Sequence, residues 1–364
     1  MTTALEAALD ALMVAVATAN PDLPGIAAAV TAPALGLTWE AGVDGALARD
    51  DGTLPAARPF RIASITKPFT ATTIHALAEE GSLGISAAIA GLIAPETATT
   101  LVQGGYDPDA ITVAHLLSHT SGIFDHTDAP SYLPTVFASP ARRWTRAEQI
   151  DVAMREGRPH GQPGEVYRYS DTGYVILGEI VERARGTSLA AAARAAAGFE
   201  RLGMTRTWWE GAEPAPGDAP ALAHQYAGAV RASEIDASFD AFGGGGIVST
   251  VGDLVRFLRA LIGGVVLPPR RLSGALATPP ARSIAGDPPA WRTHGYLLAT
   301  MPAGRHWALG HTGAWGSAVL HVPALDATLA LTLNREGQSA MTVLHATIAR
   351  LTALLEAAMS ARRG

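Results

Sequence analysis

A chain of 364 residues, 48% hydrophobic and 16% charged, can bury a large core, and its length suits two lobes. Its net charge of -6 leaves no basic footprint for nucleic acid or an anionic membrane surface. Zero cysteines remove disulfides, thiol nucleophiles and thiolate metal sites together.

Residues 4–19 are apolar and Ala-rich, but Glu6 and Asp10 interrupt them and no Lys or Arg precedes Arg49. A secretory signal needs a basic start and an uninterrupted apolar stretch, so this segment reads as an amphipathic surface helix and a cytoplasmic location is expected. No other run is long and apolar enough to span a bilayer. Residues 25–32 and 37–42 carry β-branched or aromatic side chains and read as strands, and a helix is predicted from near Ser64 to about Glu80. From there to about residue 241 the pattern is helical, with helices at 113–118, 146–156, 174–184 and 188–197. Pro/Gly stretches at 214–220 and 279–289 read as surface loops. After the glycines at 243–246, a helix at 252–261 leads to strands at 295–300, 305–309, 317–322 and 328–334, and a helix at 339–358 closes the chain. This order predicts an α/β fold of the α+β type: an antiparallel sheet built from both ends, flanked by terminal helices, with an all-helical lobe inserted. Residues 1–84 and 242–364 form the sheet lobe, residues 85–241 the helical one, and the active site falls between them.

Lys67 is the only lysine among the 27 Lys plus Arg. Arg stays protonated under all working conditions, whereas a desolvated Lys can surrender a proton, so the isolated ammonium points to proton chemistry. Ser64 precedes it by three residues, giving S-x-x-K, a spacing that places hydroxyl and amine on one helical face, as an activated serine nucleophile requires. Two further stretches join it: Tyr169-Ser170-Asp171 and His311-Thr312-Gly313, the latter between two strand candidates.

In order and spacing these three stretches resemble the motifs of the serine β-lactamase and penicillin-recognising superfamily. The closer resemblance is to its branch with Y-x-N and H-x-G: D-aminopeptidases, D-amino-acid amidases, DD-carboxypeptidases, class C-like β-lactamases and family VIII esterases. The runs L-L-S-H-T-S-G-I from Leu116 to Ile123, Pro163-Gly164-Glu165, Leu202-Gly203-Met204 and G-G-I-V-S-T from Gly245 to Thr250 extend it over residues 60–313. It implies a β-lactamase/transpeptidase-like fold, with Ser64, Lys67 and Tyr169 as catalytic residues. Ser64 attacks a carbonyl and becomes acylated, and Lys67 or Tyr169 takes its proton, the three forming a coupled set. A cation beside Tyr169 would lower its phenol pKa. The resemblance also assigns the oxyanion donors to the backbone N–H groups of Ser64 and Ala314. Gly313 would leave room for substrate along a strand edge formed with Thr312, and His311, where other branches place Lys, would carry a pH-dependent charge.

Two positions depart from the pattern. Asp171 stands where Asn is usual; its carboxylate would hold Lys67 protonated and shift the base role to Tyr169, or pair with a substrate ammonium, while capping of the following helix is a plainer role. The stretch at 295–301, ahead of H-x-G, lacks the cation with which family carboxypeptidases hold a terminal carboxylate, although Arg292 and Arg305 flank it. His115, His119, Asp125, His126 and Asp128 offer a rival zinc set, but the H-E-x-x-H glutamate is missing, so no metal or cofactor is expected. Gly243 to Gly246 lack the Lys of a phosphate cradle and read as a strand turn. Phe124, Trp208, Trp209 and Trp315 line an acyl pocket or pack in the core. The expected activity is a metal-independent serine hydrolase acting on a small amide, ester or short peptide, of D-aminopeptidase, D-amino-acid amidase or carboxylesterase type. The alternatives are a DD-carboxypeptidase, a β-lactamase-like penicillin-binding protein, or an acyltransferase using the same acyl-enzyme.

Overall fold

The computed structural model describes residues 2–45, 56–279, 282–283 and 293–363. Helix α1 (Thr2–Ala19) buries Leu9, Leu12, Met13 and Val16, the i, i+3, i+4, i+7 stripe of an amphipathic helix. Strands β1 (Gly25–Ala32) and β2 (Leu37–Asp44) follow, joined by a turn that closes at Gly36 with φ 62°. The C-terminal part contributes β3 (Thr293–His294), β4 (Ala299–Ala303), β5 (His306–Gly313), β6 (Ser317–Val322) and β7 (Ala327–Thr332). Among the described residues they form one antiparallel sheet in the order β3-β4-β5-β6-β7-β1-β2, so β1 pairs with β7 and the two ends of the chain meet inside the sheet.

Side-chain alternation decides what each face of the sheet carries. Ile26, Ala28, Val30, Leu329 and Leu331 pack with α1 and with α11 (Gln338–Arg363). Ala27, Ala29, Val319 and Ala330 face the opposite way, into a second core cluster. That cluster contains Leu254, Phe257 and Leu258 of α9 (Val251–Ile262), then α2 (Lys67–Glu79), α7 (Asp171–Arg185) and α8 (Leu189–Ala197), so sheet and helical segment share one core. No helix among the described residues is long and apolar enough to cross a membrane.

The helical segment is cut by strong caps. Thr145 and Glu148 form a capping box at α6 (Arg146–Glu156), and Ser170 Oγ accepts the Gly173 N–H at α7, which ends at Gly186 with φ 64°. The first turn of α7 therefore starts three residues before the expected 174. Short helices α3 (Pro95–Gln103), α4 (Val113–Leu117), α5 (Tyr132–Ala138) and α10 (Pro269–Ala275) complete the described set. Three of these carry no predicted helix: α3 is Thr-rich, while α5 and α10 run for only two turns, so tertiary packing rather than propensity forms them.

Strand boundaries differ from the sequence reading at several ends, and β2 runs to Asp44 rather than 42. The strand expected at 295–300 lies at Ala299–Ala303, and that expected at 305–309 runs on to Gly313. His311-Thr312-Gly313 is thus the end of β5 rather than a connection between strands. The last strand ends at Thr332, not at 334. Residues 214–220 are irregular, as expected. Of the loop expected at 279–289, Arg282–Ser283 pair with Val166–Tyr167 and most of the rest lies outside the described residues, as does Arg292.

Candidate active site

Ser64 sits in a 3-10 turn, Ala63–Thr66, and α2 begins only at Lys67. In such a turn residues i and i+3 eclipse, which brings Lys67 Nζ to 3.0 Å from Ser64 Oγ. Ala63, just ahead of Ser64, has φ 47°, a strained conformation for a residue with a Cβ. The turn packs against the end of β5. A side chain at Gly313 would come within 2.4 Å of the Ile62 carbonyl oxygen, so the room this glycine provides is taken up by the segment that leads into the Ser64 turn.

Lys67 is sealed from solvent, with 0% exposure, while Ser64, Tyr169 and Asp171 are half-buried. Its Nζ donates to Ser64 Oγ, to the Gly244 carbonyl at 3.0 Å and to Asp171 Oδ1. Three acceptors match the three donors of an ammonium. The same nitrogen lies 4.8 Å from the centre of the Tyr169 ring and 5.5 Å from that of Tyr174. Asp171 is the first residue of α7, but the cap is Ser170, so the carboxylate is free to face Lys67. Its backbone N–H donates to Asp125 Oδ2 at 2.9 Å.

Tyr169 shares a hydrogen bond with Ser64. Burial, and next the Asp171 carboxylate, push its phenol well above the ordinary value. The expectation of a phenol lowered by a neighbouring cation is therefore reversed: the carboxylate that holds Lys67 also keeps Tyr169 neutral. His311 is corrected likewise. It is fully buried, its Nδ1–H donates to the Thr312 carbonyl at 2.7 Å, and burial, His294 and Lys67 hold it well below the usual imidazole range, so it stays uncharged.

The run Gly243 to Gly246 is more than a turn. Side chains there would meet, in sequence, the Tyr174 carbonyl at 2.3 Å, Asp171 Oδ1 at 2.5 Å, Asp240 Oδ2 at 2.0 Å and the Trp209 ring nitrogen at 2.4 Å. Only glycines let this strap pass between α7, Asp240 and Trp209 while offering the Gly244 carbonyl to Lys67. Burial, then Asp171, raises Asp240 to about 7, and the same two causes raise Asp125 to about 8.

The rival zinc set is dispersed among other roles. His115 Nδ1 accepts the Thr112 N–H in a capping box, His126 Nδ1 meets Thr172 Oγ1 at 3.1 Å, and Asp125 accepts from Thr127 and Asp171. Asp128 accepts from Arg168 at 3.0 Å. His119, at φ 56°, accepts the Ser170 N–H through Nδ1 and stacks on Tyr169 with ring centres 4.3 Å apart. His294 fits between His119 and His311, at 4.6 and 5.6 Å. The L-L-S-H run gave a sign of His119, whereas nothing in sequence marked His294 or Asp240.

Of the aromatic candidates, Trp315 is buried beside Phe239, Tyr132 and Ala63 in a core cluster, and Trp208 and Trp209 are buried in a short strand against Ile247–Ser249. Phe124 is half-buried and stacks on His160 at 5.7 Å. Thr312 is buried, and Ala314, exposed, opens the turn after β5. β4 has no cationic side chain, and Arg305 is paired with Glu356.

The Beta-lactamase family model matches residues 7–354. Penicillin-binding protein 4* of Bacillus subtilis (strain 168) is 36% identical over 134 residues, 36% of this chain and 26% of that protein. Esterase EstB of Burkholderia gladioli is 32% identical over 165 residues, 43% of this chain and 39% of the esterase. The matched stretches thus span well under half of these relatives. The D-amino acid amidase from Ochrobactrum anthropi SV3 superposes with a TM-score of 0.77 at 25% identity, covering 95% of this chain and 99% of the amidase.

Proposed function

The chain belongs to the Beta-lactamase family, and on that footing we propose that it is a serine hydrolase that forms an acyl-enzyme on Ser64 from a small amide or ester, most closely of the D-amino-acid amidase type. The observation that carries the reading is the double engagement of Ser64, by Lys67 Nζ at 3.0 Å and by the Tyr169 hydroxyl. A nucleophilic hydroxyl needs an acceptor for its proton and a donor for the leaving group, and these two neighbours supply them.

Lys67 hands one of its three protons to Asp171, and the neutral amine so formed takes the Ser64 proton as Oγ bonds to the carbonyl carbon. The neutral Tyr169 phenol protonates the departing amine or alcohol as its bond to carbon breaks. In deacylation, water attacks the acyl carbon and gives its proton to the Tyr169 phenolate, while Asp171 and Lys67 return the stored proton to Ser64 Oγ. Every group ends as it began. Backbone N–H groups of Ser64 and Ala314 hold the oxyanion in both steps.

The acyl side is read from charge. The absence of a cation from β4, together with the pairing of Arg305, favours an amine-bearing or neutral acyl group over a carboxylate-ended peptide. A solved complex of the Ochrobactrum amidase holds L-phenylalanine amide, which supports a small amino-acid amide as the ligand class. The test is mass spectrometry of adducts from a fluorophosphonate, combined with hydrolysis of a panel of D- and L-amino-acid amides and short-chain esters. One adduct on Ser64, none on Ser64→Ala, and turnover abolished in that variant are expected. Turnover surviving in Ser64→Ala, or an adduct elsewhere, overturns the reading.

A further inference from the structure

Two cations lie near Asp240, and among the described residues every hydrogen bond of each goes to another group. Arg61 donates from Nε and Nη2 to Glu210 at 2.6 and 3.0 Å, and from Nη1 and Nη2 to the carbonyls of Ala232 and Ile235 at 2.6 and 2.7 Å. Lys67 spends its donors on Ser64, Gly244 and Asp171. Among the described residues the only other charge acting on Asp240 is Asp171, of like sign. Among the described residues no hydrogen bond reaches the Asp240 carboxylate, which keeps partial exposure and lies against the Gly245 α-carbon on the strap that serves Lys67. A half-buried carboxylate beside a second carboxylate, with no donor of its own, is costly unless a cation arrives to pair with it.

We propose that Asp240 is the specificity-determining residue of this site, receiving the α-ammonium of an amino-acyl substrate. The proposal rests on the serine-hydrolase reading and deepens it by naming the acyl class. It also divides the labour between neighbouring carboxylates: Asp171 is spent on Lys67, and Asp240 is left to read the substrate. The three-residue link from Asp240 to Gly244 ties the ammonium to the catalytic amine through one short strap. A neutral acyl group would leave Asp240 unpaired, so the site selects against it as well as for the amine.

The test compares the p-nitroanilides of D-phenylalanine and of 3-phenylpropanoic acid, which share a skeleton and differ by the ammonium. In the wild type the amine-bearing anilide is preferred in kcat/KM. Asp240→Asn lowers that preference by about tenfold or more, chiefly through KM of the amine, because a charged pair is lost from binding. Fluorophosphonate labelling of Ser64 in the variant verifies that the site is assembled; an unlabelled variant is replaced by Asp240→Ser, which is judged by the same ratio. An unchanged ratio, or equal losses on both anilides, overturns the role of Asp240. Failure of the wild type to hydrolyse either anilide or a p-nitrophenyl ester overturns the hydrolase reading itself, and is distinguishable because it precedes any substitution.

Discussion

Asp171 accepts a hydrogen bond from Lys67 Nζ through Oδ1, so the one residue that departs from the Y-x-N pattern faces the only lysine in the chain. An asparagine would leave the amine with a neutral acceptor. The carboxylate adds a place for a proton and a charge that acts on the whole coupled set, Tyr169 included.

Asp171→Asn therefore lowers kcat for amine-bearing and neutral substrates alike, by roughly 10² to 10⁴-fold if proton acceptance is lost. Because the carboxylate raises the Tyr169 phenol, its removal also moves the alkaline limb of the kcat/KM profile to lower pH. Profiles of kcat/KM for one amide and one ester decide it. A loss confined to KM of amines would transfer the ammonium-binding role from Asp240 to Asp171.

Tyr169→Phe separates leaving groups. An amide nitrogen must be protonated as it departs, whereas p-nitrophenolate leaves without a proton. The variant should lose at least about tenfold more on an anilide than on a p-nitrophenyl ester of the same acyl group. Equal losses would assign the phenol to Ser64 activation instead.

Lys67→Arg should be as damaging as Lys67→Ala in kcat. Guanidinium keeps the charge but does not exchange its proton, and the sealed site has no room for its extra atoms, which adds an overpacking cost of about 1 to 3 kcal/mol. Steady-state rates with melting temperatures check both parts. A Lys67→Arg enzyme with most of its rate would reduce Lys67 to an electrostatic anchor.

Much of this site is legible because local chemistry fixes it. S-x-x-K forces an i, i+3 meeting in any tight turn, and the short apolar runs 25–32 and 317–322, buried on both faces, are bounded by Pro24 and Pro33 and by Gly316 and Pro323. The rest depends on contacts far apart in sequence. Nothing near Tyr169 reveals that burial outweighs Lys67, and nothing near His311 reveals His294. The glycine run looked like a turn because a glycine records only that space is needed, not what fills it.

Gly244→Ala tests that filling. The new methyl meets Asp171 Oδ1 at 2.5 Å but the Asp171 Cβ at 3.5 Å, an ordinary contact. The single substitution should lower the melting temperature by several degrees, on the scale of about 1 to 3 kcal/mol for an overpacked site. Asp171→Ala removes the clash but strands the buried Lys67 ammonium, so the double variant should melt no lower than Asp171→Ala alone, with kcat still lost. Additive melting shifts in the double variant would mean that the strap clashes with something else.

Stability against pH follows from the buried groups, with opposite signs for two sets. Burial lowers His75, His126 and His294 to about 4, and holds His119 and His311 well below their ordinary value. The unfolded chain thus binds more protons below about 6.5, and stability present above that pH is lost as it falls toward 4. Asp125 and Asp240, raised to about 8 and about 7, act the other way: their contribution is complete at low pH and fades as pH climbs through those values. Below pH 6.5 five imidazoles outweigh two carboxyls, for a net slope of up to about 4 kcal/mol per pH unit near pH 5. Between 6.5 and 8 only the carboxyls act in this balance, and the slope reverses and is shallower. Urea melts at pH 5, 6.5 and 8 should place the maximum near 6.5, and Asp125→Asn, by removing one opposing carboxyl, should flatten the alkaline side and steepen the acid side. Stability that rises from pH 6.5 to 5 would show that the buried imidazoles find charged partners in the folded chain.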